Sequence, residues 1–210
     1  MSANVIPKVL PIVLHPHPLL GQQAAPVANV DEAVRLQLDQ MQATMQAADG
    51  VGLAGNQVGL LQRLVVMDLG TLKEDGTRDF AAPRPQQFVN PEIVSRSAET
   101  ISWKEGCLSL PNLWAEVERA AKVRVRWLDR DGAPQEGEFE GLASVCWQHE
   151  LDHLDGVLFV QRLSKLKRDL VLKKWKKLRE DWLEAPSYAA LTDRGLVKLA
   201  PATHTPEHLE

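Results

Sequence analysis

The run from Leu142 to Leu154 constrains the fold more than any other stretch of this chain. Its apolar residues Leu142, Val145, Cys146, Trp147, Leu151 and Leu154 fall on more than one side of a helix, so such a helix is central and must be enclosed by the rest of the molecule. The same run carries Gln148-His149-Glu150-Leu151-Asp152-His153. Burying two imidazoles and a carboxylate without partners is costly, so the enclosing structure has to satisfy them. Histidines at positions i and i+4 project from one helix face, close enough to reach one metal ion, and the glutamate between them can reach a water on that ion. The competing reading is a pair of core histidines hydrogen-bonded to the backbone; a metal ion would satisfy all three groups at once. Asp155-Gly156 then stops the helix.

A catalytic site of this kind uses three protein ligands and leaves one position open. A third histidine shortly after the pair is missing, because Phe159 stands where the long metzincin pattern has one. Glu180 and Glu184 are acidic alternatives in the manner of a zincin peptidase, but both lie in a highly charged segment. Cys107 is the stronger candidate, in Lys104-Glu105-Gly106-Cys107-Leu108-Ser109-Leu110-Pro111, where glycine and proline suggest an irregular backbone. A thiolate is a good ligand for zinc or ferrous iron; the alternative is a small buried hydrophobe. Cys146, on the helix itself, reads as a core residue.

With 210 residues, the chain can bury a sizeable core without staples, which makes a metal functional rather than structural. A net charge of −4 gives no general pull toward DNA or an anionic membrane. Two cysteines make no disulfide framework, and the proline-broken opening makes a poor signal peptide, so the chain is expected in the cytoplasm. Val34, Leu38, Met41 and Met45 predict an amphipathic helix capped by Asn29 or Asp31. Gly50 to Gly59 is expected to be an ordered glycine-rich loop, and Lys73 to Gln87 a polar, proline-bearing one. Strands are expected at Leu64–Leu69, Phe88–Val94, Ala115–Glu118, Lys122–Leu128 and around Gln135–Phe139, the last two joined by a turn at Asp131-Gly132. A last helix spans Ser164 to Leu183. The fold class is α+β: a central metal-binding helix surrounded by mostly antiparallel sheets, with a C-terminal helix. Residues 1–185 form a single catalytic domain and 186–210 a loosely ordered tail.

Three motifs in order give the chain a family resemblance: Gly50-Val51-Gly52-Leu53-Ala54-Gly55-Asn56-Gln57, Glu105-Gly106-Cys107-Leu108-Ser109, and Gln148-His149-Glu150-Leu151-Asp152-His153. Together they resemble the three motifs of peptide deformylases. Pro16 and Pro18 in the opening, Pro26-Val27 and Asn90-Pro91-Glu92-Ile93 also look like family landmarks. The resemblance implies removal of the formyl group from N-formylmethionyl nascent peptides, with release of formate. It implies one divalent ion on Cys107, His149 and His153, ferrous iron as the native one, with zinc, nickel or cobalt able to occupy the site. Glu150 would be the general acid and base, and Gln57 with the Leu108 main-chain N–H would stabilise the oxyanion. Val51, Gly52, Trp103, Glu105, Gly106, Leu142, Val145 and Cys146 would bind substrate, and Arg119 would support Glu105 behind the ligands, the competing reading being a surface ion pair worth little.

Three positions depart from the family pattern. Gly55 replaces the usual alanine, which is expected to loosen its loop; His17 replaces a common aspartate; Trp114 stands where many members carry arginine. The last helix carries Lys165, Lys167, Arg168, Lys173, Lys174, Lys176, Lys177 and Arg179 between apolar Leu166, Leu170, Val171, Trp175, Leu178 and Trp182. It is a solvated face over a packed one, or, by the resemblance, a ribosome-docking element.

Overall fold

A computed structural model of the chain describes residues 8–183. The expected tail at 186–210 lies outside the described residues. Helix α1 spans Glu32–Ala47 and is capped by Asp31, whose Oδ1 accepts from the Val34 N–H at 2.9 Å. Among the described residues, nine strands follow: β1 Gly52–Ala54, β2 Leu64–Met67, β3 Thr71–Leu72, β4 Arg78–Asp79, β5 Gln86–Arg96, β6 Thr100–Cys107, β7 Leu110–Ala120, β8 Lys122–Leu128 and β9 Pro134–Glu140. Helices α2, Leu142–Leu154, and α3, Lys165–Leu183, close the described chain. This is an α+β fold.

The main sheet has the order β1-β2-β5-β8-β9, every neighbour antiparallel. Its inner strand β2 is buried on both faces, which is why Leu-Val-Val-Met shows no polar alternation. Leu64 and Val66 turn toward Val34, Leu38, Met41 and Met45 of α1, while Val65 and Met67 turn toward Cys146, Trp147, Leu151 and Leu154 of α2. The other side of α2 is covered by the β6–β7 hairpin, and a third cluster joins Leu110, Leu113 and Val117 of β7 to Phe159, Val160 and Trp175. Enclosure from both sides explains a helix buried at every position from Ala143 to Leu154.

The sequence expectations held for α1, α2, β2, β8, β9 and the turn at Gly132, whose φ of 81° needs glycine. The glycine-rich segment Gly50–Gly59 is ordered, but three of its residues form edge strand β1. Lys73–Gln87 is not all loop: Arg78–Asp79 pairs back on Thr71–Leu72. The irregular backbone expected around Lys104–Cys107 is instead strand β6, paired with a β7 that runs well beyond Ala115–Glu118. Glycine there serves close packing rather than disorder, since a Cβ on Gly106 would lie 2.7 Å from the ring of Trp114. In α3, Trp175 is buried, but Leu166 and Leu170 face solvent at 73% and 61% exposure, contrary to a simple packed stripe.

Candidate active site

Helix α2 points His149 and His153 the same way, their rings 4.9 Å apart. Strand β6 ends at Cys107, whose Sγ lies 3.2 Å from His153 Nε2. The ligand atoms of Cys107, His149 and His153 all lie within 4.8 Å of one another, so these residues form a group that could hold a metal ion. His149 Nδ1 is 2.7 Å from Glu105 Oε2, which leaves Nε2 for the cluster.

Behind the cluster runs a buried chain of charges. Arg119 on β7 donates to both oxygens of Glu105, at 2.6 and 3.0 Å, and through Nη1 to Asp152 Oδ2 at 2.6 Å. Asp152 also accepts from Arg162, at 3.0 and 2.5 Å. Glu105 and Arg119 are each 4% exposed, so this is no surface ion pair. Burial alone would push the Glu105 carboxyl up, but the hydrogen bonds from Arg119 and His149 outweigh it and hold it at about 2.

Gln57 sits in the turn Gly55–Val58 that follows β1. Its Oε1 accepts from the Ala54 N–H at 2.8 Å, so Nε2 must face the other way, toward Cys107 Sγ at 3.5 Å and Ser109 Oγ at 3.3 Å. The side-chain amide is thereby fixed as a donor toward the cluster. Glu150 is 4% exposed, and burial pushes its carboxyl up to about 7. Its Oε2 has no hydrogen-bond partner among the described residues. Burial pulls His153 well below its ordinary value, which keeps a lone pair free to bind. For His149 burial also lowers the value, but Cys107 and Glu105 outweigh it.

These groups lie on a cleft of about 700 Å³. Val51, Gly52, Gln57, Trp103, Glu105, Gly106, Cys107, Leu108, Leu142, Val145, Cys146, His149 and Glu150 all line it; His153 and Arg119 stand behind the wall. The sequence reading missed Asp152, Arg162, Ser109 and Phe80. Asp152 and Ser109 lie inside the quoted motifs, and their spacing from His149 and Cys107 was the available signal; Phe80 joins the cleft wall from the segment after β4, for which local pattern gave none.

The sequence signature of the polypeptide deformylase family matches residues 9–169. The chain belongs to the polypeptide deformylase family. It is 50% identical over 173 residues to a peptide deformylase of Mesorhizobium japonicum, covering 82% of this chain and 94% of that protein. It is 49% identical to one of Alkalilimnicola ehrlichii, over 81% of this chain and 90% of that one. Among solved structures, a peptide deformylase from Legionella pneumophila superposes with a TM-score of 0.74 at 38% identity, covering 85% of this chain and all of that one. One from Ehrlichia chaffeensis has a TM-score of 0.76 at 37% identity, over 84% and 99%.

As a peptide deformylase the chain is an enzyme that removes the N-formyl group from nascent peptides. Its departures from the deformylase pattern have local accounts. His17 still caps the turn Pro18–Gly21, its Nδ1 accepting from the Leu19 N–H at 3.2 Å as an aspartate oxygen would. Gly55 does not loosen its loop: a Cβ there would lie 2.6 Å from the Gln62 carbonyl oxygen and 2.7 Å from that of Leu60, so glycine allows a closer turn. Trp114 lays its ring across Gly106 at the cleft wall. Among the described residues, no helix is long and apolar enough to cross a membrane.

Proposed function

We propose that this deformylase works on N-formylmethionyl ends with a divalent cation held by Cys107, His149 and His153, and with Glu150 moving the proton. The observation that carries the proposal is the convergence of those three donors within 4.8 Å at a cleft that Glu150 also lines. A thiolate and two imidazoles suit zinc, ferrous iron, cobalt or nickel. The carboxylate on His149 Nδ1 orients that ring as carboxylates commonly do behind metal-binding histidines. In keeping with the family resemblance, ferrous iron is the proposed resident ion. When bound, the ion would act as a Lewis acid and lower the pKa of water toward neutrality.

The chain's own groups then divide the work. Glu150 Oε2 takes a proton from the attacking water and gives it to the departing amine nitrogen, a task suited to a carboxyl that burial raises above its ordinary value. A cation beside it would draw that value down and favour the proton-accepting form. Gln57 Nε2 and the Leu108 main-chain N–H donate to the formyl oxygen as negative charge builds there. Strand β1 is at the edge of its sheet, so Gly52 and its neighbours can pair with the peptide main chain as an added strand. Val51, Trp103, Leu142, Val145 and Cys146 pack the methionine side chain, with Glu105 and Gly106 bounding the other wall.

Residues 1–185 are taken as the catalytic unit, residues 186–210 as a tail, and the compartment as the cytoplasm. We further propose that α3 docks on the ribosome through Lys165, Lys167, Lys173, Lys174, Lys176 and Lys177, all exposed, while Trp175 is buried. The test of the catalytic proposal is anaerobic purification with metal analysis, alongside formate release from formyl-Met-Ala-Ser. One ion per chain with formate release supports it; no formate with any divalent ion overturns it.

A further inference from the structure

Glu150 is enclosed, and its Oε2 has no hydrogen-bond partner among the described residues, so the shape of its surroundings bears directly on where its carboxylate lies. The nearest constraint is steric. A Cβ built on Gly52 would lie 2.3 Å from Glu150 Oε1, 2.9 Å from Cδ and 3.1 Å from Cγ. The end of the Glu150 side chain therefore occupies the space that a side chain at position 52 would fill.

Neither backbone is free to withdraw. Gly52 pairs with Met67 of β2, the preceding Val51 carbonyl accepts from the Asp68 N–H at 2.9 Å, and the Ala54 N–H is held by Gln57. On the other side, α2 is buried along its length between the main sheet and the β6–β7 hairpin. A methyl group at position 52 would have to be accommodated by rotation of Glu150 itself, away from where it now meets the cleft. Close packing turns such a conflict into a discrete displacement rather than a diffuse one.

We propose that Gly52 is a positioning residue for proton transfer: its missing side chain is the seat in which the Glu150 carboxylate lies. This rests on Glu150 having the role given above, and it is separate from any pairing of the Gly52 main chain with substrate. Main-chain pairing would make the residue matter whatever stands at 150. A steric seat adds an effect that depends on the side chain at 150, and alanine at 52 keeps the main-chain groups that pair with substrate.

The test is a double-mutant cycle on the full-length, zinc-loaded protein. Four proteins are compared for formate release: wild type, Gly52→Ala, Glu150→Gln and the double variant. Gly52→Ala is expected to keep its bound metal and lose about 10- to 100-fold in kcat, since displacements near 1 Å at a reacting group reach that scale, with KM changed less than about threefold. In the Glu150→Gln background the same change should alter the residual kcat by less than about twofold. A second arm reads stability without activity. Gly52→Ala should lower Tm when Glu150 is present and leave it nearly unchanged in Glu150→Ala, whose truncated side chain vacates the seat.

The proposal is overturned if Gly52→Ala costs the same factor in kcat in both backgrounds, or if its Tm penalty is the same with and without Glu150. Should Gly52→Ala fail to fold, folding of Gly52→Ala/Glu150→Ala supports the seat and its failure overturns it. Full activity of Glu150→Gln would instead overturn the role of Glu150, and the Tm arm would still decide the steric claim.

Discussion

Replacing Arg119 with leucine removes the hub of the buried charge chain. Arg119 makes two bonds to Glu105 and one to Asp152, all at 2.6 to 3.0 Å, and is 4% exposed. Its loss leaves Glu105 only His149 and Asp152 only Arg162. Removing one partner of a buried ion pair typically costs about 3–5 kcal/mol. The depression of Glu105 from 4.5 to about 2 gives a similar scale of about 3 kcal/mol, part of it owed to His149. At about 2–4 °C per kcal/mol for a protein of this size, Tm should fall by about 6–20 °C. Metal affinity should fall by about 10- to 100-fold as well, because Glu105 would no longer hold His149 in place. The pH dependence adds a sign. A carboxyl depressed in the folded state contributes stability that is present above its ordinary 4.5 and lost as pH falls toward 2. Metal-free wild type should therefore lose more stability over that window than Arg119→Leu. Calorimetry from pH 6 down to the acid limit checks this, together with a zinc competition titration. A Tm change under about 2 °C, or equal acid sensitivity in the two proteins, would mean that Arg119 does not stabilise Glu105.

Gln57→Leu should lower kcat by about 10²–10³-fold with metal retained, the scale of one lost oxyanion donor; steady-state kinetics showing less than about fivefold would remove Gln57 from that role. Trp147→Ala should cost about 3–5 kcal/mol in denaturant unfolding, because its ring is 1% exposed and lies 4.5 to 5.7 Å from Phe88, Phe139 and Trp127. A cost below about 1.5 kcal/mol would mean that this cluster repacks freely. Charge reversal of Lys173, Lys174, Lys176 and Lys177 should abolish ribosome co-sedimentation at low salt while leaving formate release intact. Unchanged co-sedimentation would refute docking through α3.

The parts legible in sequence were those whose pattern is local. Helix α2 announced itself because it is apolar all round and carries polar groups at metal-ligand spacing, and β2 because both its faces are covered. Strand β6 was less legible although Ile101 and Trp103 alternate with Ser102 and Lys104. The alternation breaks at Glu105, an inward-facing carboxylate whose counter-charge, Arg119, lies 14 positions away on β7. Local periodicity cannot show that a charge is buried when its partner comes from another strand. The same limit hid Asp152 and Arg162, and it turned Gly55 from a tight contact with the Leu60 and Gln62 carbonyls into an expected loosening. Cys107 was reached by ligand chemistry, but its approach to His153 is a product of the β6–β7 hairpin folding over α2.

In the proposed mechanism, deformylation depends on a metal site that Cys107 completes with His149 and His153. Cys107→Ala, purified anaerobically, should keep its far-UV spectrum, lose its bound ion and release no formate from formyl-Met-Ala-Ser above background. Retention of one ion per chain with undiminished formate release would remove Cys107 from the site and point to an acidic third ligand instead.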